Sequence, residues 1–527
     1  MRPFIIAIIA LPLTTVAGLS ADWVGYGGPN GSRVYPQAKP PTTFGKNDIA
    51  WTVKLPDWGH GSPIVIGEKV FLLCEFTEGV EHYPSLVCLS AKDGKLLWKA
   101  LLDHTPVLPN GAAIKKAWET VMTDWGKRRV LIQAYEASGK SADKLPAIEA
   151  AGYEYDPRWN RLLPKDKNHL KSELALMRQG GFALETWRQS LGSGNTISCV
   201  GQAHATPMSD GERVYVQTAF GGFFCFDLAG KLLWCAAVPG QAGEYCRNGR
   251  SPILYKNLLL SDITNKVRAF DKLTGTLLWS DDGPAKIGGE GASTIVSPAI
   301  LTVAGKDILY AAGNCAYLLP DGKRLTVEGW KDYGMQTLVK HDERDVVFFC
   351  GSGEHCGWTD KGGDNATYRP PAAVRFRLEG DSLNATVLWN GKDLGGKETA
   401  GGNSPWMLYH AGKFYHVNGA ILNALTGKVI AGAFSKSGSA AVPGTRHLLC
   451  AAGNHVFGLT HHRGRSGKDD AAPGSALMSV FTLDGQKVAD NVIPGIEGKN
   501  FSYGWTFTFD HNSIYVRGLN HLIKIGK

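Results

Sequence analysis

The stretch "AFDKLTGTLLW", Ala269–Trp279, decides the fold. It reads as an apolar strand, a tight turn and a second strand ending in tryptophan. Asp271 can accept hydrogen bonds from the turn amides, and Gly275 can adopt the positive φ that so short a turn needs. Trp279 then lies on the sheet face, where its ring can fill the wedge against a neighbouring unit. Burying it is worth ~3 kcal/mol or more.

Softer copies run along the chain. "LVCLSAKDGKLLWK" from Leu86 and "FFCFDLAGKLLWC" from Phe223 keep the closing Trp98 and Trp234, and "AVRFRLEGDSLNATVLWN" from Ala373 keeps Trp389. Fainter copies start at Ala316, Ala420 and Met478. A second half precedes each, as in "GHGSPIVIGEKVFLL", "AHATPMSDGERVYVQ" and "GRSPILYKNLLLS". It opens with Ser/Thr-Pro, makes a short strand, turns and makes another. One unit is therefore four short strands, a to d. Trp234 and Trp279 are 45 residues apart, and four-strand units at this period are the signature of a β-propeller.

Opening halves begin near Gly61, Ala205, Ser251, Ser297, Gln336, Ser404, Ser439 and Tyr503. The expectation is an all-β, eight-bladed propeller. Seven blades is the alternative, because the units near 300–350 and 435–490 are degenerate. "IAWTVKLP", Ile49–Pro56, precedes every opening half, and the last unit lacks its own strand d. The N-terminal strand is expected to complete the last blade and so remove a free edge.

The pattern Ala-x-Asp-x-x-Thr-Gly-x-x-x-Trp, matched by Ala269, Asp271, Thr274, Gly275 and Trp279, resembles the tryptophan-docking repeat of the pyrroloquinoline-quinone (PQQ)-like propeller superfamily. That superfamily holds quinoprotein alcohol dehydrogenases and non-enzymatic relatives of the BamB type. The resemblance covers nearly all of the mature chain outside one insertion, and it implies two functions. One is a non-catalytic binding or scaffold protein. The other is an atypical PQQ-dependent dehydrogenase oxidising an alcohol or sugar, with PQQ and calcium as cofactors. The second needs clustered carboxylate and amide oxygens around the cation, and alcohol-oxidising members usually carry adjacent cysteines. This chain has no Cys-Cys. The non-catalytic reading is the expectation, and no cofactor is assigned.

In a propeller the d–a and b–c connections share one face, here the top. The residues before each opening half should ring it: His60, His204, Arg247, Arg250, Glu290, Asn403, Trp406, Tyr503 and Trp505. Glu290 is the one acid among them. Polar, aromatic and ionisable groups converging on one cavity make a candidate site for a protein, glycan or small-molecule ligand. The b–c loops are expected to add His82, His355, Trp358, His455, His461, His462, Arg463 and Arg465. Imidazoles suit transition metals, but His461-His462 lacks the i, i+4 spacing of a helical metal motif, and no metal is assigned.

The insertion, 103–197, lies between blades 1 and 2 and reads as mainly helical. "AIKKAWETVMTDWGKRRVLIQAYEA" sets Ile114, Trp118, Val121, Met122 and Trp125 on one helical face, and a second helical stretch runs near 168–192. It must leave from the top, as a lid, a docking arm or a decoration on the propeller's side.

The chain begins "MRPFIIAIIALPLTTVAGLSADW". A basic n-region, a short apolar core and small residues before Ala21 read as a signal peptide, 1–20, with the propeller occupying 21–527. Export to the periplasm or beyond follows. No cysteine stands ready for a lipid anchor, and no later segment is apolar enough to span a bilayer. The formal net charge is +8, without basic clusters interleaved by aromatics, which argues against nucleic acid. The ten cysteines include no CxxC. Cys225–Cys235 and Cys350–Cys356 could bridge, while Cys74, Cys88, Cys315 and Cys450 read as buried thiols.

Overall fold

The computed structural model describes residues 23–28, 31–75, 82–157, 161–182, 205–238, 251–263, 266–281, 298–311, 315–330, 337–340, 346–350, 372–390, 408–415, 421–431, 447–461, 476–493, 506–518 and 520–526, and every count below is of these residues. They form eight four-stranded antiparallel units, a to d from the axis outward. The first is Ile64–Ile66, Lys69–Cys74, Ser85–Ser90 and Leu96–Leu101. The others have strand a at Met208–Ser209, Ile253–Tyr255, Ala299–Val303, Thr337–Lys340, Leu408–His410, His447–Ala452 and Thr506–Phe509. Seven of the eight begin within about four residues of an opening half marked in the sequence; the strand of blade 7 begins at His447, eight residues after Ser439.

The ring closes as expected. Ile49–Lys54 pairs antiparallel with His521–Ile525 and becomes strand d of blade 8. The eight units make seven propeller sheets, because blades 4 and 5 share one eight-stranded sheet. Their outer strands, Lys323–Glu328 and Ser382–Asn390, pair in parallel through Thr326–Ser382, Val327–Leu383 and Glu328–Asn384. Both blade counts drawn from the sequence thus describe one real feature.

The tryptophan motif works as a joint. In blade 3, Asp271 Oδ1 accepts from the amides of Leu273 and Thr274, at 2.9 Å each, and Gly275 sits at φ +73°. Each tryptophan reaches forward to the c–d turn of the next blade. The indole nitrogens of Trp51, Trp98, Trp234, Trp279 and Trp389 donate to the carbonyls of Ala91, Leu228, Lys272, Pro320 and Ala424. Trp234 and Trp389 are buried, whereas Trp279 is only half-buried, so its burial is worth less than a fully enclosed ring.

A bulge aims these rings. In seven blades strand d carries one extra residue immediately before the tryptophan position: Ala50, Leu97, Leu233, Leu278, Leu388, Ile430 and Val488. A bulge locally raises the twist and re-aims the following side chain. It also explains why Leu97, Leu233 and Leu278 remain exposed. Blade 4 keeps regular register between Cys315–Leu318 and Lys323–Glu328, and it places no tryptophan there. Its outer strand pairs with blade 5 instead.

The insertion contains a 27-residue helix α1, Gly111–Ala137, then α2, Leu145–Ala150, and α3, Lys171–Gln179. A hairpin of Tyr153–Asp156 and Arg161–Pro164, which the helical reading overlooked, lies between α2 and α3. Gly180 ends α3, and the stretch expected to continue it to 192 lies outside the described residues from 183 onward. No helix among the described residues is long and apolar enough to cross a membrane.

The described cysteines Cys74, Cys88, Cys225, Cys235, Cys315 and Cys450 are free thiols. Cys225 pairs across the strand with Trp234, and Cys235 with Phe224. The two sulfurs therefore occupy successive registers and point to opposite faces, which corrects the proposed Cys225–Cys235 bridge. Burial raises the Cys74 thiol to about 11 and the Cys88 and Cys450 thiols to about 12. Cys356 lies outside the described residues, as does the Cys350 side chain.

Candidate functional site

The Ser/Thr-Pro dipeptides that open blades 1, 2 and 3 meet at the top. The Ser62 amide donates to Thr206 Oγ1 at 3.1 Å, and the Thr206 amide donates to Ser251 Oγ at 2.9 Å. Proline following each hydroxyl fixes φ at the first turn out of the connection. These residues lace adjacent blades together, and the face above them is what they position.

The opposite end of the axis is occupied. Residues 23–28 and 31–35, which carry no repeat, lie along the inner edges of the innermost strands. Trp23 bridges Val65 of blade 1, and the Val24 carbonyl accepts from the Ser209 amide of blade 2. Val34–Tyr35 pairs in parallel with Ala451–Ala452 of blade 7. Trp23 and Tyr35 are almost completely buried. These contacts set the described part of this segment against the inner strand edges at the end opposite the top.

At the seam of blades 8 and 1, the Arg517 side chain is fully buried and donates to the Gly61 and Leu73 carbonyls. Burial lowers it to about 10, against the counter-effect of Cys74 and Glu75. Gly59 makes room for it, since a Cβ there would stand 2.3 Å from Arg517 Nη2. His60, the first rim residue, is at the expected end of the blade but 5% exposed, edge-on to Trp58 with centroids 5.4 Å apart. It packs the rim rather than presenting an imidazole to solvent. No repeat position marked Arg517; an arginine at the end of an otherwise apolar strand, "SIYVRG", was the available signal.

The other rim residues, His204, Arg247, Arg250, Glu290, Asn403, Trp406, Tyr503 and Trp505, lie outside the described residues, as do His355, Trp358, His462, Arg463 and Arg465. His455 is a correction. It opens strand b of blade 7, opposite Ala452 across the a–b turn, and so sits at the far end from the b–c loop to which it was assigned. The His461 backbone ends that strand at the b–c side.

The insertion does emerge at the top. Trp118 of α1 donates from its indole to the His82 carbonyl at 2.7 Å, in the b–c connection of blade 1. Phe182 stacks between Trp118 and His104, with centroids at 4.8 Å and 4.7 Å, and touches Phe220 of blade 2 at 4.9 Å. Ile114, Val121 and Met122 complete this core, as the helical face predicted, with Trp125 at its margin. The insertion caps the b–c ends of blades 1 and 2 and is not a decoration on the propeller's side.

Among the described residues no three His, Cys, Asp or Glu side chains come together to hold a metal ion. The buried acids at the top, Glu75 and Asp262, belong to blades 1 and 3.

No curated protein matches the chain. Residues 183–327, spanning blades 2 to 4, match the family described as outer membrane protein assembly factor BamB. Among solved structures, BamB from Moraxella catarrhalis is 11% identical with a TM-score of 0.36, over 60% of this chain and 80% of that one. The quinohemoprotein alcohol dehydrogenase from Comamonas testosteroni is 11% identical with a TM-score of 0.44, over 97% and 82%. The computationally designed Ika8 protein is 11% identical with a TM-score of 0.45, over 91% and 99%. These structural likenesses are too distant to carry function. The described strands form a β-propeller, and residues 183–327 within it are similar to the BamB family.

Proposed function

We propose that this is an exported, non-catalytic binding or scaffold propeller, periplasmic or secreted, whose partner surface is the top face. The observation that carries the reading is the asymmetry of the two ends. Residues 23–28 and 31–35 stand against the innermost strands at one end, while the insertion is fixed by an aromatic core to the other. Loops on a rigid scaffold are where binding residues concentrate, and the sequence repeat assigns Arg250 and Trp406 to the rim at that end. A protein surface is the partner class that suits a face enlarged by a 27-residue helix.

The competing reading is the PQQ-dependent dehydrogenase. A ligand that binds only the folded state must raise its melting temperature. Purified protein heated with PQQ and calcium is expected to melt where it does without them. A rise of several degrees, with dye-linked oxidation of an alcohol or sugar, would replace the binding reading by the enzymatic one.

A further inference from the structure

The seam between the insertion and the propeller contains a buried histidine that the fold does not need as a charge. His104 is fully buried in the connection leaving blade 1. Its ring lies nearly parallel to Phe182, with 16° between the planes, and Phe182 continues the stack onto Trp118 of α1. Its Nε2 donates to the Gly180 carbonyl at 2.8 Å, at the end of α3. A carbonyl can only accept, so the proton sits on Nε2. The other nitrogen, Nδ1, is buried without a hydrogen-bond partner. A Cβ on Gly222 of blade 2 would stand 2.9 Å from it, so the space beside it is already filled by backbone.

This arrangement fits the neutral ring. A second proton, on Nδ1, would add a buried donor with no acceptor and a buried charge, and both are costly. The surrounding groups do not offset it. Asp103, on the same connection, is engaged by Thr105 and by Lys115 of α1 at 2.8 Å. Lys115 is itself cationic. Tyr83 of blade 1 and Cys235 of blade 2 are held neutral by burial. A second histidine, His82, lies on the same seam, with Glu119 of α1 as its nearby acid.

We propose that this seam is an acid-released latch: protonation of His104 detaches the insertion from the b–c ends of blades 1 and 2 and uncovers Phe220 and Tyr83. The latch regulates access to the face assigned above as the partner surface, and it rests on that reading for its purpose. Burial lowers the affinity of both His104 and His82 for protons below the ordinary value of 6.5. The released state therefore binds more protons than the latched state. The latch is complete above about pH 6.5 and weakens as pH falls below it.

The test is hydrogen exchange of the full chain, without any partner, compared at pH 7.5 and pH 5 after correction for the intrinsic rate. Amides of α1 and α3 should lose protection by about tenfold or more at pH 5. Amides in the strands of blade 3 should keep theirs. His104→Gln retains a donor for Gly180 and cannot titrate, and His104→Phe retains the stack; either should make α1 protection less dependent on pH. Equal protection at both pH values in the wild type would overturn the latch. So would a full wild-type pH response in both variants, or equal loss in blade 3. Because no partner is present, failure here leaves the binding reading standing, and failure of that reading leaves the latch measurable.

Discussion

Trp234 of blade 2 rests on Gly275 of blade 3, so closely that a Cβ on Gly275 would stand 2.5 Å from the indole. The same contact recurs between Trp51 and Gly94, Trp98 and Gly230, and Trp279 and Gly322. The motif's glycine thus answers two demands at once. It takes a positive φ for its own turn, and it leaves room for the neighbour's ring. The Trp and the Gly of one motif never touch each other; each serves the joint on a different side of its blade.

These two demands can be separated. Gly305 has the same φ as Gly275, +73°, but nothing lies within 4 Å of its would-be Cβ. Gly305→Ala should cost only the backbone strain, about 1–3 kcal/mol. Gly275→Ala adds overpacking of about the same size, for about 2–6 kcal/mol in all. Denaturant unfolding measures both, and equal losses would refute the docking role.

The bulge carries a second expectation. Leu233 is 42% exposed, so Leu233→Ser should change stability by less than about 0.5 kcal/mol. Deleting Leu233 restores regular register and removes the bulge's local twist, which turns the Trp234 ring away from the joint. The deletion should cost at least the roughly 3–5 kcal/mol of a lost buried tryptophan. A deletion no worse than the serine substitution would show that the bulge does not aim the ring.

The fold was legible because the docking motif needs particular residues at fixed spacing. The strand starts and the closure by Ile49–Lys54 followed from that repeat. Blade 4 was faint for a physical reason: without bulge or tryptophan it joins blade 5 by backbone pairing, which any side chain permits. Residues 23–28 and 31–35 carry no repeat, and their place against the inner strands also rests on backbone contacts. At the site, position was readable but environment was not. His60 was put at the right end of its blade, yet its burial against Trp58 depends on a neighbour only the fold supplies. His455 was misplaced because its a–b turn is short enough to read as part of the strand that follows.

Inside the insertion, Asp124 ties α1 to the hairpin and to the loop before α3. It accepts from Tyr153 and from His169 Nε2, and Arg128 lies 2.7 Å away. Burial pushes its carboxyl up, but the Tyr153 hydrogen bond, the Arg128 charge and the His169 contact outweigh that and hold it below its ordinary value of 3.8. Its contribution is present above that value and is lost as pH falls through the lower folded one. Asp124→Asn should therefore destabilise the insertion at pH 7 and make it less sensitive to acid below pH 4. Circular dichroism of helix content against pH reads this, and an unchanged acid transition in the variant would contradict it.

The proposed export makes a direct prediction. The mature chain recovered from the host envelope or medium should begin near Ala21. An N-terminus at Met1 in protein from the cytosol would contradict it.

The central claim is that partners dock on the top face. The sharpest measurement places a photo-crosslinking residue at Arg250, at Trp406 or at Leu273 and irradiates the protein in its own host. Leu273 is 50% exposed in the c–d turn of blade 3, at the opposite end of the blades. Discrete adducts from Arg250 and Trp406, with none from Leu273, are the predicted result. Adducts from Leu273 alone, or from all three sites alike, would contradict the account.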